Sequence, residues 1–118
     1  MIIVPPCSIA GHNVLNIGEP IFNVYSASKF AVTALTESLR QELVYLKSKI
    51  KVSSISPGFV ESEIRDAAAV NSGREIKDFS YLPKLEAKDI ADAVIYVLST
   101  PPHVQVHELI IKPVGERS

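Results

Sequence analysis

The chain has 118 residues, 47% of them hydrophobic and 21% charged, with 12 Lys+Arg against 13 Asp+Glu. That balance excludes the disordered, collagen-like and supercharged classes and predicts one globular unit with a real core. A formal net charge of −1 with no basic block argues against nucleic acid as a partner.

Cys7 is the single cysteine, so no intrachain disulfide can form, which fits a reducing compartment. The N-terminus, Met1-Ile2-Ile3-Val4-Pro5-Pro6, has no basic leader, and no segment nears the roughly 18 apolar residues of a membrane span. The expectation is a cytoplasmic chain without a membrane span.

In chain order, residues 2–4 are apolar and β-branched and predict a strand, which Pro5-Pro6 interrupts. Residues 12–23 hold Gly18, Pro20 and several Asn and predict a loop. From 24 to 47 the period is helical. Ala27, Ala31, Leu35, Leu39 and Leu43 recur every four residues, with no Gly or Pro between them. Asn23 is the expected N-cap. Lys47 and Lys49 are expected at the negative end of the helix dipole. The Ala31/Leu35/Leu39 stripe predicts a core face or a helix-pairing face, and Glu37, Arg40, Glu42 and Lys47 a solvated one.

Residues 50–55 predict a strand stopped by Pro57-Gly58. Residues 61–83 predict a loop with a short helix at 62–70. Residues 87–98 predict a helix with Ile90, Val94 and Leu98 in one stripe, ended by Pro101-Pro102. A last strand is expected at 104–111. Strands alternating with helices indicate right-handed crossovers and a parallel sheet, an α/β fold.

Tyr25 and Lys29 stand four apart on one face of the predicted helix. A free tyrosine holds its proton too tightly for acid/base work near neutrality, and an adjacent lysine cation favours the phenolate. Such a tyrosine can exchange a proton with an alcohol or carbonyl oxygen. Ser8, at the end of the first strand, could donate a hydrogen bond to the same oxygen. In parallel sheets ligands bind at the carboxyl ends of strands. Ser8, the Tyr25 end of the helix and Pro57-Gly58 are all expected there. His12, His103 and His107 lack metal-ligand spacing and predict surface histidines. Cys7 reads as a small buried residue.

Tyr25-Ser26-Ala27-Ser28-Lys29 resembles the Tyr-x-x-x-Lys signature of the short-chain dehydrogenase/reductases. Ile55-Ser56-Pro57-Gly58-Phe59-Val60-Glu61-Ser62 resembles that family's Pro-Gly segment, and Ser8-Ile9-Ala10-Gly11 resembles its catalytic-serine segment. Residues 31–37, 39–43 and 89–101 resemble a subgroup that includes the insect farnesol dehydrogenases. The resemblance implies roles for the matching positions. Tyr25 is the acid/base, Lys29 assists it and binds the nicotinamide ribose, and Ser8 orients the substrate oxygen. Pro57, Gly58, Val60 and Ser62 line the nicotinamide, with Ser62 in place of the usual threonine. Residues 61–85 cover the substrate.

The same resemblance implies NADP as cofactor, with NAD as the alternative. It also implies a lipophilic alcohol or carbonyl substrate, such as a steroid, retinoid or isoprenoid alcohol, and a homo-oligomer at full length.

The chain departs from that pattern in three places. More residues (9–24) separate Ser8 from Tyr25 than is usual, although the subgroup shares this extension. Pro5-Pro6 lies where a central strand should run, and proline donates no ladder hydrogen bond. The glycine-rich phosphate turn that opens a dinucleotide fold is absent: Gly11, Gly18, Gly58, Gly73 and Gly115 form no cluster.

The expected architecture is therefore the C-terminal half of a Rossmann-like doubly wound parallel sheet, β-α-β-α-α-β. Residues 1–118 make up the catalytic half of an NAD(P)-binding domain. Without partner strands its apolar sheet edge would be exposed and prone to aggregation. The alternative expectation is a truncated, inactive module that pairs with full-length relatives. The 118-residue chain alone is expected to give no heat of NADP binding in calorimetry, because no segment of it can cradle the diphosphate; tight stoichiometric binding would contradict the half-domain reading.

Overall fold

In this computed structural model residues 2–4, 11–12, 23–61 and 82–116 are described. They form strand β1 (Ile2–Val4), helix α1 (Asn23–Tyr45), strand β2 (Val52–Pro57), helix α2 (Ala87–Leu98) and strand β3 (Glu108–Ile111). The order in the sheet is β1-β2-β3, and both pairings are parallel. Ile2, Ile3 and Val4 pair with Val52, Ser53 and Ser54. Ser54 to Pro57 pair with Glu108 to Ile111. Each connection between neighbouring strands carries a helix, as parallel pairing requires.

β2 is the central strand of the three, and all six of its residues are buried. One face packs on α2: Ile55, Ala93 and Val97 form the core cluster, with Val94, Val106, Leu109 and Ile111 against it. Side chains alternate along a strand, so Val52, Ser54 and Ser56 share the other face. α1 crosses there.

The side of α1 that is buried is polar. Ser26, Thr36 and Arg40 are its buried residues, whereas Leu35 is 70% exposed and Val44 70%. The Ala31/Leu35/Leu39 stripe is thus not core in this chain: Ala31 and Leu35 are exposed and Leu39 half-buried.

Arg40 also departs from expectation. It is buried rather than solvated, and its Nη2 donates to the carbonyls of Val52 (3.4 Å) and His107 (3.0 Å) while Nη1 pairs with Glu37. The guanidinium thereby ties α1 to β2 and to the segment entering β3, which a flexible point-charge lysine would do less well. A hydrogen bond from Gln41, with the nearby Arg40 charge, holds the Glu37 carboxyl below its ordinary range.

Three hydroxyls of α1 satisfy themselves on the helix backbone, whereas the buried Ser26 Oγ has no hydrogen-bond partner among the described residues. Thr36 donates to the Val32 carbonyl at 2.8 Å, Ser38 to Ala34 at 3.0 Å and Thr33 to Lys29 at 3.2 Å.

α1 starts one residue before the predicted span and ends two before it, with Asn23 as its first residue. Lys47 lies beyond its end, and no basic residue occupies its last turn. The bonds Lys47 N–H to Val44 (3.0 Å) and Ser48 N–H to Leu43 (2.9 Å) close a Schellman turn, which puts Lys47 at φ 55°. Its role is backbone geometry rather than dipole compensation.

α2 begins where the Asp89 carboxylate accepts the Glu86 N–H at 2.8 Å. At its other end Lys51 Nζ donates to the Thr100 and Pro101 carbonyls at 3.2 and 2.8 Å. That cation stands where the helix dipole is negative. The predicted last strand shortens to Glu108–Ile111, because Val104 closes a turn on the Pro101 carbonyl and Gln105 caps Val52 N–H instead of pairing. The helix expected at 62–70 lies outside the described residues.

Lys47→Gly is expected to raise stability by about 1 kcal/mol, the penalty an L-residue incurs in the left-handed region. Urea unfolding of the two forms tests this, and a neutral or destabilising result would contradict the assigned turn.

Candidate active site

Parallel strands all point one way, so their carboxyl ends form one edge of the sheet, and the return helix begins above it. Tyr25 and Lys29 lie in the first two turns of α1. They share a face as the four-residue spacing predicted, and Lys29 Nζ stands 5.4 Å from the centre of the Tyr25 ring. Tyr25 is 39% exposed. Ser28, between them, donates to the Tyr25 carbonyl at 2.7 Å and satisfies a backbone group of that first turn. The pair is a cation beside a phenol on a rigid element.

The carboxyl end of β2 turns sharply at Pro57-Gly58. Gly58 N–H donates to the Ile111 carbonyl at 2.8 Å, continuing the ladder to β3. Phe59 N–H donates to Glu116 Oε1 at 3.0 Å. The other oxygen, Glu116 Oε2, is buried without a hydrogen-bond partner and crosses directly over the Gly58 Cα. The Glu116 carboxylate thus fills the space that a side chain at position 58 would take, and its unpartnered oxygen is an acceptor that an N–H donor would satisfy. Sequence reasoning missed Glu116, since a lone acid near the C-terminus carries no motif.

Val60 forms a parallel bridge with Leu85, Leu85 N–H donates to the Phe59 carbonyl (2.7 Å), and Glu61 N–H donates to the Leu85 carbonyl (2.9 Å). Lys84 Nζ adds an ion pair with Glu61 at 3.1 Å. The two ends of the predicted substrate segment at 61–85 are therefore stitched together at the exit of β2.

The Gly11–His12 turn joins these parts. The Gly11 carbonyl lies 3.3 Å from Thr33 Oγ1 and shares its one proton with the Lys29 carbonyl. A Cβ on Gly11 would lie 2.7 Å from Thr33 Oγ1 and 2.9 Å from the Lys29 carbonyl, so the turn abuts the Lys29 turn of α1 at a distance that only glycine allows. His12 Nε2 reaches Ser56 Oγ at 3.2 Å. His12 was expected at the surface; it is half-buried and packed into the site instead. Ser8 and Ser62, expected in the same site, lie outside the described residues. Cys7 does also. Among the described residues there is no metal-binding group of His, Cys, Asp or Glu, and no helix is long and apolar enough to cross a membrane.

Residues 2–72 match the family described as short chain dehydrogenase. The farnesol dehydrogenase of Aedes aegypti is 51% identical over 110 residues, which cover 93% of this chain and 41% of that protein. The mouse protein named dehydrogenase/reductase SDR family member 11 is 43% identical over 107 residues, covering 90% and 40%. The chain thus spans about two fifths of the length of these curated relatives.

Among solved structures, the alcohol dehydrogenase of the archaeon Thermococcus sibiricus complexed with 5-hydroxy-NADP superposes with a TM-score of 0.70 at 22% identity, over 98% of this chain and 43% of that one. The closed form of serine dehydrogenase complexed with NADP+ gives 0.68 at 25% identity, over 94% and 43%. The first of these speaks for the fold alone. It supports a Rossmann-like arrangement for the three parallel strands.

The two site glycines are expected to differ in tolerance. Gly11→Ala meets backbone and is expected to destabilise by about 1–3 kcal/mol. Gly58→Ala meets only the end of the Glu116 side chain, which can swing away, and is expected to cost less than about 1 kcal/mol. Paired denaturation curves check the order, and an equal or reversed order would contradict the close approach at Gly11.

Proposed function

We propose, from the premise that the chain belongs to the short chain dehydrogenase family, that it is the catalytic part of an NADP-dependent oxidoreductase interconverting a lipophilic alcohol and its carbonyl. The observation that carries the reading is the Lys29 ammonium set beside the Tyr25 ring at the start of α1. A bound nicotinamide supplies the hydride acceptor or donor.

In oxidation Tyr25 takes the hydroxyl proton as the carbon loses hydride, and in reduction it returns that proton to the carbonyl oxygen. Lys29 stabilises charge developing on the Tyr25 oxygen and donates to ribose hydroxyls. Ser8 orients the substrate oxygen. Pro57, Gly58, Val60 and Ser62 line the nicotinamide.

The residues present fit the nicotinamide end of such a cofactor. The orphaned Glu116 Oε2 over Gly58 offers an acceptor for a carboxamide N–H. The diphosphate end finds no glycine cluster in these 118 residues. The preference for NADP is supported by the ligands of the solved neighbours, and a farnesol-like substrate class by the name of the Aedes aegypti relative. The exposed apolar side of α1, with Leu35 and Val44 each 70% exposed, supports pairing with a second copy. The same face supports a second reading, an inactive pairing module.

In the protein at its full length, Tyr25→Phe is expected to lower turnover by about a thousandfold, as loss of a positioned acid/base does, with NADP affinity within about threefold. Steady-state kinetics with isoprenoid and steroid alcohols, beside fluorescence titration with NADPH, checks both. Near-normal turnover would remove Tyr25 from the chemistry. A parent protein without turnover on any alcohol or carbonyl would favour the pairing module.

A further inference from the structure

His12, Ser56 and Glu108 come from three separate parts of the chain and meet on the α1 side of the sheet. Ser56 is fully buried, and its Oγ donates to Glu108 Oε1 at 2.5 Å. A hydroxyl has one proton. With that proton committed to a carboxylate in a short, charge-assisted bond, Ser56 can only accept from His12 Nε2 at 3.2 Å. His12 must then carry its proton on Nε2, from which the Glu108 oxygen is also 3.5 Å away.

The group is not a nucleophilic triad. The serine proton is directed at the acid rather than the imidazole, and burial closes Ser56 to substrate. What the contacts do is mechanical. Gly11 is pressed against the Lys29 turn of α1, and the next residue is bonded to Ser56, which immediately precedes the Pro57-Gly58 turn.

We propose that His12 is a positioning residue: through Ser56 and Glu108 it holds the Gly11–His12 turn as a spacer of fixed width between the Lys29 turn of α1 and the Pro57-Gly58 end of β2. This rests on the reading that Lys29 and Pro57-Gly58 belong to one oxidoreductase site. The spacer sets how far the proton-handling face of α1 stands from the turn that lines the nicotinamide. Removing it loosens that separation without removing a reacting group, so the loss falls on the chemical step more than on binding.

The test uses the protein at its full length with His12→Ala, His12→Gln and Ser56→Ala beside the parent. His12→Ala is expected to lower kcat roughly tenfold with KM for alcohol and cofactor within about twofold, the worth of one positioning hydrogen bond. His12→Gln keeps an N–H donor near the same reach and is expected to recover most of the loss. Nitrogen-15 NMR of the parent is expected to show the Nε2-protonated tautomer at His12, and Ser56→Ala is expected to erase its distinctive shift. Amide exchange is expected to rise at both Lys29 and Gly58 in His12→Ala.

An unchanged kcat, a glutamine no better than alanine, or an Nδ1-protonated His12 would overturn the proposal. A parent inactive on every alcohol would sink the oxidoreductase reading instead. In that case the tautomer and the paired rise in exchange still decide the spacer, and exchange unchanged at either residue would overturn it.

Discussion

β2 is hydrogen-bonded on both edges to strands that run the same way, and a parallel pair cannot be closed by a tight turn. The chain must leave the carboxyl end of each strand, cross one face of the sheet in a helix and re-enter at the amino end. α1 takes the Ser56 face of the sheet and α2 the Ile55 face, a choice of side that parallel pairing by itself leaves open. The convergence of the Tyr25 end of α1, the Pro57-Gly58 turn and the exit of β3 on one edge follows from the parallel pairing. A site assembled there needs no side chain to search for its partners, because strand direction has already delivered them.

The two faces of β2 are held by different physics. On the α2 face Ile55, Ala93 and Val97 make an apolar core in which burial itself stabilises. On the α1 face the interface is largely hydroxyls and a guanidinium, with Arg40 bonded to two backbone carbonyls from β2 and the approach to β3. Directional bonds fix register and distance more tightly than apolar contact, and this is the face that carries Lys29, His12 and Ser56. The precise side of the sheet is the side that bears the candidate chemistry. The helix turns apolar residues outward, and Leu35 and Val44 are exposed.

How much was legible in the sequence differs by residue. The Tyr25/Lys29 spacing was sufficient to place both on one helix face, since helical geometry alone decides that. The 27/31/35/39/43 stripe suggested a buried apolar seam, but hydrophobic period reveals which residues share a face and not what that face meets. Arg40 read as solvent-facing because its burial depends on carbonyls 12 and 67 residues away in the chain. Lys47 read as a dipole partner because its left-handed φ is set by the turn that follows the helix.

The sequence by itself determined the α/β alternation, the long uninterrupted helix, the shared face of Tyr25 and Lys29 on it and the lack of a glycine cluster within these residues. Each follows from local spacing or composition. Only the tertiary structure decided that His12 joins Ser56 and Glu108, that Glu116 returns to Phe59, and that α1 buries its polar rather than its apolar side. These depend on contacts between residues 44 to 57 positions apart, and on which face of a helix the sheet happens to cover. No local pattern encodes such meetings, because parallel crossovers bring together segments whose sequences carry no mark of one another.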